Sequence, residues 1–171
     1  MLDYMVLYAS RTGNTKMVAK EIFAALPGSR KDIRDIDMDG YGKEAETYFV
    51  GFGVNRGGCD VQIMDALSAL EGKKVALFGT CGMGNNEPYF KKIEQNVRAF
   101  LPEECEYLGI YMCQGKMQMP VRNKYEQMLA DGADRERVEM MIRNFDEALL
   151  HPDKNDLEQA RKFAERIAAS L

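Results

Sequence analysis

The 171-residue chain contains no tryptophan, a single histidine (His151) and four cysteines (Cys59, Cys81, Cys105, Cys113) with no Cys-x-x-Cys pair among them. That inventory argues against a zinc site, and a chain of this length needs no disulfide framework to build a core. Three of the cysteines read as reduced thiols packed near strand ends. No apolar run approaches the ~20 residues that cross a bilayer. The N-terminal stretch Met1 to Tyr8 carries neither a basic leader nor a small-residue cleavage site, and it already reads as a strand. The expectation is a cytoplasmic protein without a membrane partner. Basic residues are also too few for a nucleic-acid face, since the net charge is −4. What remains is a globular composition, 46% hydrophobic and 29% charged, which argues against disorder.

The first two thirds of the chain alternate between strand and helix patterns. Met5 to Ala9 is a short continuous apolar run, as expected of a strand covered on both faces. Asn14 to Leu26 is helical, with Val18, Ile22 and Leu26 on one stripe, and Pro27-Gly28 stops it. Ile33 and Ile36 mark a weaker edge strand, and the polar stretch 37–46 leaves room for only a turn or two of helix. Strands follow at Thr47 to Phe52, Lys74 to Gly79 and Cys105 to Cys113. Helices lie between them at Cys59 to Leu70 and around Phe90, Ile93, Val97 and Phe100. This alternation predicts an α/β fold with a five-stranded parallel sheet in the order 2-1-3-4-5. Beyond Gly115 only helical stripes occur: Val121 to Leu129, Val138 to Leu149, and Leu157 to Leu171, the last opened by an Asn155/Glu158 capping box. With no linker before it, this segment (about 115–171) reads as part of one domain with the sheet core (about 3–114).

The segment with most chemical content is Ser10-Arg11-Thr12-Gly13-Asn14-Thr15. It stands one residue past a buried strand and opens an amphipathic helix. The first turn of a helix offers unpaired N–H groups and partial positive charge. Gly13 allows close approach, and the hydroxyls of Ser10, Thr12 and Thr15 can donate to phosphate oxygens. No Gly-Lys-Ser/Thr ends the loop, so a Walker site is excluded, and no Gly-x-Gly-x-x-Gly supports a dinucleotide site. A helix N-cap rich in polar residues is the competing explanation; four polar residues and a glycine at this position favour phosphate capture.

Ser-x-Thr-Gly-Asn-Thr after the first strand resembles the phosphate loop of flavodoxins, and Phe78-Gly79-Thr80-Cys81-Gly82 resembles that family's second flavin loop. The resemblance covers roughly residues 3–114. It implies a three-layer flavodoxin-like sandwich that binds FMN. The contacts it implies are Ser10 to Thr15, then Gly53, Val54 and Asn55 after the third strand, then Thr80, Cys81, Gly82 and Met83 after the fourth. It implies no catalytic residue and no metal ligand, and Cys81 reads as a small neutral contact. The usual stacking aromatics are displaced. Phe52 lies at a strand end where it can also face the core. Tyr89 arrives late in a loop that reads Met83-Gly84-Asn85-Asn86, and it is either a stacking ring or a first-turn helix residue. By the same resemblance, Gly57 and Gly58 either flip a peptide toward the flavin N5 or form a plain turn. Arg11 and Arg56 lie near the expected flavin, where positive charge raises its potential; for Arg56 a solvated loop position is the alternative. Gln114, Lys116, Met117 and Met119 leave the carboxyl edge of strand five, where ligands bind in open α/β sheets.

The long helical ending resembles a divergent flavodoxin-like subgroup of anaerobic bacteria thought to accompany flavin reductases such as bilirubin reductase. The resemblance therefore implies an FMN electron carrier that docks on a partner redox enzyme, a reductase or oxidoreductase. Two alternatives stand beside it: an FMN-dependent reductase of a small acceptor, and an accessory subunit with weakened flavin binding.

Overall fold

Alternation along the central strands decides the layering. In β1 (Leu2–Tyr8) the buried Met5 and Leu7 turn to one face of the sheet, and Val6 and Tyr8 to the other, the period-two signature of a strand covered on both sides. The computed structural model describes residues 1–84 and 86–171; Asn85, which belongs to the second expected flavin loop, lies outside the described residues. The remaining strands are β2 (Lys31–Asp35), β3 (Ala45–Gly53), β4 (Lys74–Cys81) and β5 (Glu106–Gln114). All pairings are parallel and the order is β2-β1-β3-β4-β5, as the sequence predicts.

On one face lie α3 (Val61–Ser68) and α4 (Glu87–Arg98), which bury Ile63, Leu67, Ile93 and Val97 against Val50, Phe52, Val75 and Leu77. On the other lie α1 (Asn14–Ala25) and α7 (Lys154–Ala169), where Val18, Ile22, Phe163 and Ala164 meet Val6, Phe49 and Phe78. Phe163 meets Phe49 edge-on, with ring centroids 6.3 Å apart, a favoured aromatic geometry. Arg161 and Glu21 pair at 3.1 Å across the α1–α7 seam.

The middle of the sheet is fitted by a reciprocal exchange of size. Gly51 of β3 stands opposite Phe78 of β4, and Phe52 stands opposite Gly79. A Cβ on Gly51 would lie 2.2 Å from the Phe78 ring, and one on Gly79 would lie 2.9 Å from the Phe52 ring. Each glycine thus makes the space in which a fully buried phenylalanine on the next strand lies.

Two local expectations need correction. Ile36 does not extend the edge strand. Asp35 accepts a hydrogen bond from the Asp37 N–H through Oδ1 (3.2 Å), ending β2 and starting the single turn α2 (Ile36–Asp39). The capping box of α7 is Asp153/Asp156, not Asn155/Glu158, with both reciprocal bonds at 2.8 Å.

The last third of the chain carries three helices where the sequence shows three helical stripes. Because α7 completes the α1 layer, the added part is the hairpin of α5 (Met119–Ala130) and α6 (Arg135–Ala148), inserted between β5 and α7. Helix α5 buries no residue fully, whereas α6 buries Val138, Phe145 and Ala148. Arg122 pairs with Asp146 to join the two helices.

Candidate functional site

The loop after β1 is built around Gly13, which occupies the N-cap of α1 with φ of 88°. A side chain there would cost about 1–2 kcal/mol. The Gly13 and Lys16 N–H groups both donate to Ser10 Oγ, at 3.2 and 3.3 Å. Ser10 therefore ties the loop to the helix start. Further amides of the first turn have no partner within the helix, the usual condition of a helix N-terminus and the one that suits an anion.

Asn14 and Thr15 point inward and are buried. The Thr15 and Thr80 hydroxyls share a hydrogen bond at 2.9 Å, so Thr15 links this loop to the end of β4. Asn14 Nδ2 donates to the Lys116 carbonyl at 2.9 Å, and the Asn14 amide lies so close to Gly115 that a Cβ there would fall 2.5 Å from Nδ2. Its other polar atom is different. Asn14 Oδ1 is buried and has no partner among the described residues. An orphaned buried carbonyl oxygen forfeits roughly 1–3 kcal/mol of hydration, which a ligand hydroxyl or N–H would restore.

These loops enclose a cleft of about 370 Å³ at the carboxyl edge of the sheet, within the usual size of small-ligand sites. It gathers twelve of the residues expected from the sequence: Arg11, Thr12, Asn14 and Thr15; Gly53, Val54 and Asn55; Thr80, Cys81 and Gly82; Lys116 and Met117. Ser10 and Gly13 shape the loop without lining the cleft. Met83 lies outside the lining and is 44% exposed. Tyr89 stands in the first turn of α4, its N–H donating to Asn86 Oδ1 at 3.0 Å, and packs half-buried on the sheet cluster. Phe52 is fully buried. Among the described residues no aromatic ring lines the cleft; its apolar wall is Val54, Met117 and Val121.

Several lining residues are not legible in the motif. Asp60 pairs with Arg11 at 3.0 Å and receives a hydrogen bond from Asn55 Nδ2 at 2.8 Å, so Arg11 faces the cleft as half of an ion pair. Gly115 and Gln118 come from the segment leading into α5, and Val121 from its first turn. The rule that ligands bind outside the carboxyl ends of parallel strands would have found them. Gln114, expected near a ligand, is buried instead and donates through Nε2 to the Gly82 carbonyl at 2.9 Å. The Gly57 carbonyl accepts from Asn96 Nδ2 at 2.8 Å while Gly58 N–H donates to the Asn55 carbonyl at 3.0 Å. The peptide between the two glycines is thus held on both sides. Burial pushes the Cys81 thiol up from its ordinary range, which keeps it protonated at neutral pH, as suits a packing contact more than a nucleophile.

Comparison with known proteins agrees with this geometry. The sequence model of the flavodoxin domain family matches residues 5–165. A flavodoxin-like domain-containing protein, BilS, from Clostridioides difficile (strain CD3) is 35% identical over 167 residues, covering 95% of this chain and 94% of that one. The BilS protein of Clostridium symbiosum (strain WAL-14163) is 32% identical over 180 residues, with the same coverage. Among solved structures, a Streptococcus pneumoniae TIGR4 flavodoxin superposes with a TM-score of 0.59 at 18% identity, covering 98% of this chain and 99% of that one. An archaeal flavodoxin gives 0.55 at 16% identity, covering 99% and 98%. The structural matches establish a shared fold and the sequence matches a shared descent: this chain belongs to the flavodoxin domain family.

Proposed function

We propose that this protein binds FMN in the cleft at the carboxyl edge of its sheet and carries electrons to or from a partner redox enzyme in the cytoplasm. The observation that carries the reading is Asn14: a buried side chain of the phosphate-type loop, in a residue that lines the cleft, whose Oδ1 has no partner among the described residues. The residues present fit the group. First-turn amides of α1 and the Thr12 hydroxyl supply donors for a phosphate, with Gly13 setting the loop. Asn14 Oδ1 suits a hydroxyl of the sugar-alcohol chain, because an acceptor-only atom repels a phosphate dianion. Thr80, Cys81 and Gly82 would line the side of the cleft that takes the ring, and Val54, Met117 and Val121 would give it apolar surface. Bound FMN supplies one- and two-electron redox chemistry. The chain's own part is to orient the flavin, exclude water from one side and set the local charge, for which no general acid or base is required.

A second reading is favoured by one observation. With no aromatic ring among the described residues lining the cleft, part of the stacking energy, about 0.5–1.5 kcal/mol for an aromatic pair, is forgone. An accessory subunit with weak flavin affinity would look this way. Titration of the flavin-free protein with FMN and with riboflavin, followed by fluorescence quenching, separates the readings. Saturation at low micromolar FMN, with riboflavin at least tenfold weaker, supports the carrier. Equal, millimolar affinity for both supports the accessory subunit. No quenching by either sinks the flavin reading.

A further inference from the structure

Residues 82–84 are held by a side chain that does not itself line the cleft. Asn144, on α6, donates through Nδ2 to the Gly82 carbonyl at 3.0 Å and accepts from the Gly84 N–H through Oδ1 at 3.3 Å. Gln114 Nε2 adds bonds to Asn144 Oδ1 (3.2 Å) and to the Gly82 carbonyl (2.9 Å). The donor and acceptor ends of the Asn144 amide each meet their complement, so its orientation is fixed: turned over, it would set oxygen against oxygen at Gly82. The segment is also wedged sterically. A Cβ on Gly82 would fall 2.5 Å from Met117 Sδ, and one on Gly84 would fall 2.4 Å from Gln114 Oε1. Helix α6 is anchored by the buried Phe145 and Ala148, which gives Asn144 a firm base.

We infer that Asn144 is a positioning residue for the flavin site: acting through Gly82 and Gly84, it sets where Cys81 and Gly82 stand in the cleft wall. The inserted α5–α6 hairpin thereby fixes the ring-side surroundings of the ligand, while the phosphate side is fixed by α1. This rests on the flavin reading above and extends it to a residue outside the sheet core.

The test uses the full chain with Asn144→Ala, Asn144→Asp and, as a control on the same helix, the exposed Arg143→Ala. Each is titrated with FMN and with riboflavin, and the visible absorbance and circular dichroism of the bound flavin are recorded. Asn144→Ala is expected to weaken both flavins by about tenfold, to leave the FMN-to-riboflavin ratio unchanged and to alter the bound spectrum. Asn144→Asp keeps the volume and the Gly84 acceptor but turns an oxygen toward the Gly82 carbonyl; it is expected to do the same. Arg143→Ala should match the wild type. Wild-type affinity and spectrum in both Asn144 variants would overturn the inference, as would a loss confined to FMN, which would place the effect at the phosphate loop. Failure of both variants to fold would make Asn144 a residue of folding and overturn it as well. A wild-type chain that binds neither flavin brings down the flavin reading, and this inference with it.

Discussion

Thr15 and Thr80, in the first turn of α1 and near the end of β4, share a buried hydroxyl–hydroxyl hydrogen bond of 2.9 Å across 65 residues of sequence. It joins the loop after β1 to the end of β4, both of which line the cleft. Replacing either threonine by valine strands the other hydroxyl in the interior and should cost about 1–3 kcal/mol, whereas the double variant, which removes both polar groups, should cost less than the two single losses summed. Urea denaturation of the four proteins measures the coupling. Strict additivity would mean that the bond contributes nothing.

Gly115→Ala is expected to act on the phosphate loop from a distance of a hundred residues. The new methyl would overlap the Asn14 amide, forcing it off the Lys116 carbonyl that it now bonds. FMN affinity should drop by about tenfold, with a stability loss of about 1–3 kcal/mol for the overpacking. Unchanged FMN binding would show that Asn14 has no part in holding the ligand.

Gly51→Ala tests the exchange of size inside the sheet. Its methyl would fall 2.2 Å from the ring of Phe78, which is itself fully buried. The loss should reach about 3 kcal/mol, at the upper end for overpacked cores. Truncating the neighbour as well, in Gly51→Ala/Phe78→Leu, should restore part of it. A double variant no more stable than Gly51→Ala would refute the pairing.

The charge at the cleft mouth is set by a pair. Arg11 is mostly exposed and meets Asp60 at 3.0 Å, so the isolated positive charge that the sequence suggests is largely offset. Asp60→Asn should free the guanidinium and raise the midpoint potential of bound flavin by a few tens of millivolts, more at low salt than at high. Potentiometric titration at two ionic strengths reads the effect. A fall in potential would contradict this account.

His151 gives the junction of α6 and α7 a pH dependence. Burial opposes its protonation, but hydrogen bonds to Asp156 at 2.5 Å and to Glu147 at 3.4 Å, with Asp153 nearby, outweigh it and raise its pKa above the ordinary 6.5. A folded-state pKa above the unfolded one means stability that is complete below about pH 6.5 and lost as pH rises through the folded value. The difference in urea midpoint between wild type and His151→Gln should therefore be larger at pH 6 than at pH 8.5. A difference that grows with pH would reverse the assignment.

How far the sequence could be read depended on whether a signal was local. Val75 to Phe78 and Met5 to Tyr8 announced buried strands because both faces of each are apolar, and the loop at Ser10 announced its chemistry because strand, glycine and helix start are adjacent. Ile36 misled because an apolar residue after a strand looks like more strand; the carboxylate of Asp35, which ends β2, carries no period. Asn155 and Glu158 have the spacing of a capping box, but so do Asp153 and Asp156 two residues earlier, and only hydrogen bonds choose between them. Tyr89 could not be placed because its position depends on where α4 begins. Asp60 and Asn144 reach the cleft region through space, across turns whose geometry no pattern encodes.

The α5–α6 hairpin leaves after the last strand and returns to the closing helix without adding a strand to the sheet. Its first helix buries nothing completely, yet the segment leading into that helix and its first turn form one wall of the cleft. Framework and fitting are thus made by different stretches of chain. Substitutions at exposed lining positions such as Gln118 remove no buried packing while altering what the pocket accepts. Diversification within this lineage should therefore concentrate there, and grafting the hairpin of one relative onto the sheet of another becomes a practical way to exchange ligand or partner preference.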